Sequence, residues 1–253
     1  MTGAGYLDRT PGDSDQLRLF CFHHAGAGAS AFTGWRAALA PAIDVYPVQL
    51  PGRENRVREP RRTDFAELIE ELDAQLGPWL TGDYACYGHS MGALIGYALV
   101  RHRIHNGHPA PRSLLVGAYP GPHLRPPLSA TGMTDDQLAD LLVRVGGMSE
   151  TVRRYPTWAT AATDLLRDDL ALLHSYRREA APRPLPVRLD VFAGADDPLL
   201  RADETAEWAR HAGGPFHVHT VPGGHFFLRD STDTLLSLIT EALAPGGRRS
   251  AAS

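Results

Sequence analysis

The sequence contains no lysine: every one of its 25 Lys-or-Arg residues is arginine. Chemistry that needs a lysine is excluded, and so is a G-x-x-x-x-G-K-[ST] phosphate loop. Cysteine is almost as scarce. Cys21 and Cys86 are the two in the chain, each inside an apolar run (LRLFCF and DYACYG). That rules out a disulfide scaffold and makes both read as small buried residues. No apolar run reaches 18 residues, so no membrane-spanning helix is expected. The N-terminus MTGAGYLDRTPGDSDQ has no basic start followed by an apolar stretch, so no secretory signal is expected and the cytoplasm is the expected compartment. Excess positive charge is missing too. A formal net charge of -4 argues against a nucleic-acid partner.

What is present fits an ordinary globular chain. Its 253 residues suggest one domain with a large insertion, and 43% hydrophobic with 21% charged residues leaves enough apolar material for a core. Residues 1–16 and 246–253 are polar or glycine-rich and read as loose tails around a domain at 17–245. Within it, short apolar runs alternate with helical patterns. Strands are expected at 17–22, 43–50, 83–88, 113–119, 187–194 and 216–222, with Pro47 marking an edge or bend. Helices are expected at 30–40, 64–80, 91–102, 203–212 and 232–244. Phe65, Leu68, Ile69, Leu72 and Leu76 share one face of the second, and Asp64 is placed to cap it. This alternation means an α/β fold with a mostly parallel sheet covered on both faces. Residues 120–186 break the pattern. They carry helical stretches at 134–147 and 163–178 and no strand, as a lid over a site would.

The motif with the most chemistry is Gly88-His89-Ser90-Met91-Gly92. It follows a strand and opens a helix, as a nucleophile elbow must, and its glycines let the backbone pass closely at a strained turn. A serine hydroxyl needs a base, and in this chain order the base comes last. His225 follows Gly223-Gly224 just beyond the final strand. His217 and His219 lie within that strand and read as solvated or face-packing residues. His102, His105 and His108 have ligand-like spacing, but they fall at a polar helix end with no carboxylate nearby in sequence, so no metal site is expected. The acid that orients the base is sought in Gly194-Ala195-Asp196-Asp197-Pro198. Asp197 fits the G-x-x-D spacing; Asp196, one residue off, is the alternative. The oxyanion donors are expected to be the N–H groups of Met91 and of Ala25, the latter in the small-residue loop Phe22–Gly28.

Taken together, CFHHAGAGASAF, LPGRENR at 50–56, GHSMG, GADDP and PGGHFFL resemble the type II thioesterases, the editing hydrolases of polyketide and nonribosomal peptide assembly lines. The resemblance runs from about Leu17 to Leu243. It implies an α/β-hydrolase fold with a helical lid, Ser90, Asp197 and His225 as a triad, and Ala25 and Met91 as oxyanion donors. It also implies acyl groups on the phosphopantetheine arm of acyl or peptidyl carrier domains as substrates, with no cofactor of the protein's own. Two departures stand out: His23 where the family usually has proline, and Ala27 where a second glycine is commoner.

Arg53, Arg56, Arg58, Arg61 and Arg62 share the stretch 51–64 with Glu54, Glu59 and Asp64. They read either as a basic edge facing an acidic carrier domain or, as favoured here, as a solvated loop with internal ion pairs. Met148, Tyr155 and Trp158 either line an acyl channel or pack the lid onto the body. Rival readings are a carboxylesterase or lipase on the same fold, a non-catalytic carrier-binding protein, and a cyclising domain cut from a megasynthase. The start at Met1 and the lack of a carrier remnant weigh against the last, and a monomer is expected.

Overall fold

The central strands form where side chains alternate between two buried faces, while the edge strand Phe216–Val221 is half exposed. The computed structural model describes residues 5–12, 15–178 and 183–244. Its strands are β1 (Leu17–Phe22), β2 (Ile43–Val48), β3 (Tyr84–His89), β4 (Ser113–Gly117), β5 (Arg188–Gly194) and β6 (Phe216–Val221). All pair in parallel, in the order β2-β1-β3-β4-β5-β6. Phe20, Phe22, Tyr84 and Cys86 enter one apolar layer, while Leu19, Cys21, Ala85 and Tyr87 enter the other. Both cysteines are thus buried and unpaired, as their apolar surroundings suggest.

The helices are α1 (Trp35–Leu39), α2 (Phe65–Leu76), α3 (Met91–His105), α4 (Asp135–Arg144), α5 (Glu150–Arg153), α6 (Pro156–Ser175), α7 (Ala202–Ala206), α8 (Phe227–Asp230) and α9 (Thr232–Leu243). Asp64 caps α2 by accepting the N–H groups of Ala66 and Glu67 at 2.9 and 3.0 Å. The helix expected at 30–40 is broken in two. Gly34 sits in the left-handed region, φ 85, between a 3-10 turn at Ala29–Phe32 and α1. The helix expected at 163–178 starts earlier, because Pro156 suits a first helical turn. Helices α4 to α6 fill the interval between β4 and β5, so the insertion expected at 120–186 is helical throughout its described regular parts. Among the described residues no helix is long and apolar enough to cross a membrane.

The strand order reverses between β1 and β3. The connections leaving their carboxyl ends diverge there and open a crevice, the usual ligand position in such sheets. Pro47 lies on β2, an edge strand, as its missing N–H requires.

Residues 1–16 are not loose where they are described. Tyr6 is buried, its carbonyl accepts the Gln49 N–H at 2.8 Å, Leu7 bridges Val48, and Arg9 pairs with Asp44. The edge of β2 exposes unpaired backbone groups, and this segment covers them. Residues 1–4 and 13–14, and the tail expected at 246–253, lie outside the described residues.

Candidate active site

The turn after β3 holds Ser90 at φ 53, a strained conformation for a residue with a side chain. Two glycines make the turn possible. A Cβ on Gly88 would collide with the Gly92 carbonyl, and one on Gly92 would collide with the Phe22 carbonyl of β1. The Ser90 N–H donates to the Gly117 carbonyl at 2.7 Å, fixing the turn to β4. Ser90 is thereby raised over the crevice at the N-terminus of α3.

His225 arrives from the loop after β6. Its Nε2 lies 3.1 Å from Ser90 Oγ and its Nδ1 2.8 Å from Asp197 Oδ2. A carboxylate only accepts, so Nδ1–H donates to Asp197 and Nε2 is left to accept from the Ser90 hydroxyl. His225 and Asp197 are 4% and 1% exposed, so little water competes for these bonds. The second Asp197 oxygen accepts the Leu199 N–H at 2.8 Å. Asp196 is exposed, and its N–H donates to the Gly223 carbonyl. With the bond from the Ala195 N–H to the Val221 carbonyl, this sews the acid loop to the histidine loop. The structure therefore brings Ser90, His225 and Asp197 into one chain of hydrogen bonds and leaves Asp196 outside it.

His89, the variable position of the Gly88–Gly92 motif, supports His225 from below. Its Nε2–H donates to the His225 carbonyl at 2.8 Å, so its Nδ1 accepts from the Tyr87 hydroxyl at 3.1 Å. Burial pushes the His89 pKa well below its ordinary value, aided by the nearby His225 and His24, and pushes the Tyr87 hydroxyl well up. Both stay neutral, which keeps this bonding pattern intact. The motif points to this position but gives it no role.

Met91 N–H is the first of α3, one of the helix N–H groups without an intrahelical partner, and it adjoins Ser90. Ala25 faces the same site from the loop after β1. His24 Nδ1–H donates to the Ala25 carbonyl at 3.0 Å, and the Gly26 N–H donates to Asp169 Oδ2 at 2.8 Å. Burial lowers the His24 pKa to about 4. His23, at the position where the resemblance expects proline, is buried and has no partner for Nε2 among the described residues. Burial, with Arg53 nearby, holds its pKa well below the ordinary value.

The arginine stretch is solvated in part: Arg58 is exposed and Arg61 and Arg62 are half-buried, whereas Arg53 and Arg56 are buried. Arg53 pairs with Asp169 of α6 at 2.8 Å, the side chains 4% and 0% exposed. Arg56 is buried, pairs with Glu59 and lies over the Tyr6 ring at 4.4 Å. Arg61 and Arg62 reach Asp168 and Glu71. Only the Arg56–Glu59 pair is internal to the stretch; the others reach α2 and α6, and two of the five arginines are buried in the body.

Above Ser90 and His225 lies a cavity of about 40 Å³. Leu142, Leu166, Leu170 and Leu173 of the lid line it with Phe226 and Tyr119 of the body. That volume suits a water or two and not an acyl chain. Tyr155 and Trp158 neither line it nor pack on the body. They are 55% and 60% exposed and lie against each other at 5.1 Å. Met148 is buried in the core. His219 reaches the buried Asp190 at 2.9 Å and stacks on Phe192, which is a packing role. His102 does have a carboxylate near it in space, Asp73 at 3.5 Å.

The family described as "Thioesterase domain" matches residues 17–243. "Linear gramicidin dehydrogenase LgrE" of Brevibacillus parabrevis is 32% identical over 90% of this chain and 88% of its own length. "Thioesterase PikA5" of Streptomyces venezuelae is 31% identical over 92% and 83%. Among solved structures, the type II thioesterase BorB from the borrelidin biosynthetic cluster superposes with a TM-score of 0.84. It is 31% identical and covers 96% of this chain and 100% of that one.

Proposed function

The chain belongs to the thioesterase domain family, and from that premise we propose that it is a stand-alone serine thioesterase. It hydrolyses stalled or aberrant acyl groups from the phosphopantetheine arm of acyl or peptidyl carrier domains in polyketide or nonribosomal peptide synthases. The observation that supports this most is the Ser90–His225–Asp197 hydrogen-bond chain set beneath an apolar chamber. The near end-to-end likeness to BorB supports the carrier-bound substrate.

In this reading His225 Nε2 takes the Ser90 proton as Oγ attacks the thioester carbon. The N–H groups of Ala25 and Met91 hold the oxyanion. His225 returns the proton to the pantetheine sulfur as the carbon–sulfur bond breaks. Water then gives a proton to His225 and attacks the acyl-serine, and Ser90 leaves with that proton. Asp197 holds the imidazole in its tautomer throughout. The reaction uses no cofactor of the protein's own, and the enzyme works as a cytoplasmic monomer.

The dehydrogenase name of the gramicidin relative raises a nucleotide-binding reading of the Gly26–Ala27–Gly28 loop. Its amides argue against that. Gly26, Ala29 and Ser30 donate to Asp169, Gln49 and Glu54, so these N–H groups are not free for a phosphate. The esterase reading is separated by experiment. One acyl group is presented on a carrier domain, on free pantetheine, on an alkyl thiol and as the matched oxyester. kcat/KM should fall at each truncation, because remote binding energy is lost. Equal values would favour a general esterase. Ser90→Ala, with its fold intact, should lose at least about 10³-fold in kcat on every substrate.

A further inference from the structure

The LPGRE stretch and the lid helix α6 meet in the body at a point that the hydrolytic steps above do not use. Both Arg53 amino groups donate to Asp169, one to each oxygen, at 2.8 Å. Asp169 Oδ2 also accepts the Gly26 N–H at 2.8 Å. The pair is more than nine-tenths buried on both sides. Arg53 further donates to the carbonyls of Ala27 and Pro51, both at 3.3 Å. Its neighbours act on the same loop: Gln49 Oε1 accepts the Ala29 N–H at 2.8 Å, and Glu54 accepts the Ser30 hydroxyl at 2.6 Å. The stretch therefore buttresses residues 26–30.

A buried ion pair is weak evidence for stability, since desolvation cancels much of the attraction and an apolar pair of similar volume is often as stable. What an apolar pair cannot do is accept the Gly26 N–H. That bond matters because of its position. The Ala25–Gly26 peptide is held at one end by His24, on the Ala25 carbonyl, and at the other by Asp169, on the Gly26 N–H. Gly26 is at φ 78, so the loop turns sharply just after Ala25 and is not held there by helix or strand. On the same helix, Leu170, next to Asp169, and Leu173, one turn further along, face the chamber.

We propose that Asp169, aimed by Arg53, is a positioning residue for the oxyanion site: it sets the direction of the Ala25 N–H and does so only when lid helix α6 is docked. This rests on the serine thioesterase reading and on Ala25 as a donor. Lid position and transition-state stabilisation are then coupled. A substrate that holds α6 in place completes the donor pair; a displaced α6 leaves Ser90, His225 and Asp197 assembled with one donor misaligned.

The test uses Asp169→Ala and the double variant Arg53→Met/Asp169→Leu, which leaves no charge buried and unpaired should the single variant fail to fold. Steady-state kinetics are measured with an acyl N-acetylcysteamine thioester. Binding of an alkyl boronic acid, whose tetrahedral adduct on Ser90 occupies the oxyanion site, is measured alongside. kcat should fall about 10²-fold, the effect of losing one oxyanion donor, with KM within about threefold of wild type. The boronate inhibition constant should rise by a similar factor. Asp169→Asn, which keeps an oxygen for Gly26, should recover about tenfold of the loss. A merely structural pair would lower the melting temperature and leave the kcat and boronate values of the folded fraction unchanged. That result, or a rise in KM alone, overturns the proposal. Ser90→Ala keeps the two readings apart. If it remains active the thioesterase reading fails; if it is inactive while folded Asp169 variants match wild type, only the positioning role fails.

Discussion

At Asp196 and Asp197 two identical side chains, adjacent in sequence, meet opposite fates. The backbone after β5 turns so that Asp197 is enclosed, one oxygen on His225 and the other on the Leu199 N–H, while Asp196 is exposed. Asp197→Asn puts an amide where the ring N–H must donate, and the imidazole then favours the wrong tautomer. kcat should drop by about 10³–10⁴-fold. Asp196→Asn should stay within about threefold, because its backbone N–H still reaches Gly223. Parallel kinetics of the two variants check this, and a reversed order would assign the orienting role to Asp196. The residues at this point were legible because a chain-order rule and a spacing rule both bear on them. His89 and Asp169 were not. His89 occupies the variable position of its motif, and its bond to the His225 carbonyl joins residues 136 apart. Asp169 looks like any acid on a helix, and its partners Gly26 and Arg53 lie 143 and 116 residues away. No local pattern encodes such pairs. Arg53 was misread for the same reason: five arginines among acids read as a surface, until the fold buries two of them.

Helices were legible in proportion to their periodicity. Helix α2, with five buried residues on one face and an aspartate cap, ends within four residues of the expected position. The interval 30–40 was harder, since its helical composition gives no warning that Gly34 will be used at positive φ. The lid was recognisable by what it lacked, strands, but its attachments were not. Those attachments are uneven. Helix α6 is fixed to the body by Asp169 on Arg53, by Asp168 on Arg61, and by the Ser175 hydroxyl accepting the Phe65 N–H at 2.8 Å. Helix α5 has no buried residue, and α4 is tied to α6 through Arg167, which reaches Asp135 and the Met133 carbonyl. Opening should therefore begin at α4 and α5, with α6 following at higher cost. Hydrogen exchange followed by mass spectrometry should show peptides from 134–155 exchanging fastest, those from 160–175 more slowly, and β3 and β4 slowest. Equal protection of α4 and α6 would mean that the lid moves as one body. Some opening is required in any case, because about 40 Å³ does not admit an acyl chain.

Across the whole molecule, histidine is the group on which pH acts. His23, His24, His89 and His211 are all held neutral by burial, the first and third well below the ordinary value and the other two at about 4. They come from separate places: two from the loop after β1, one from the elbow, and one from the end of the turn after α7, where the Tyr97 hydroxyl donates to His211. The unfolded chain has no such burial, and its histidines take up protons near pH 6.5. Between about pH 6.5 and 4 the unfolded state therefore binds more protons than the folded one. Stability is fully present above that window and is lost as pH falls through it. Each fully coupled histidine contributes a slope of about 1.4 kcal/mol per pH unit, so four together approach about 5 kcal/mol per unit. Against a total stability of about 5–15 kcal/mol, that is enough to unfold the protein near the lower end of the window. The melting temperature should be nearly flat from pH 8 to 7 and fall steeply from 6.5 to 4.5. Calorimetry at pH 5, in buffers of different ionisation enthalpy, should find at least about three protons taken up on unfolding. His24→Gln should lower that number by about one and leave the acid limb of the pH–rate profile where it is, since His24 is already neutral at every pH where the enzyme is folded. A melting temperature unchanged between pH 7 and 5 would mean that these four rings are not held neutral together.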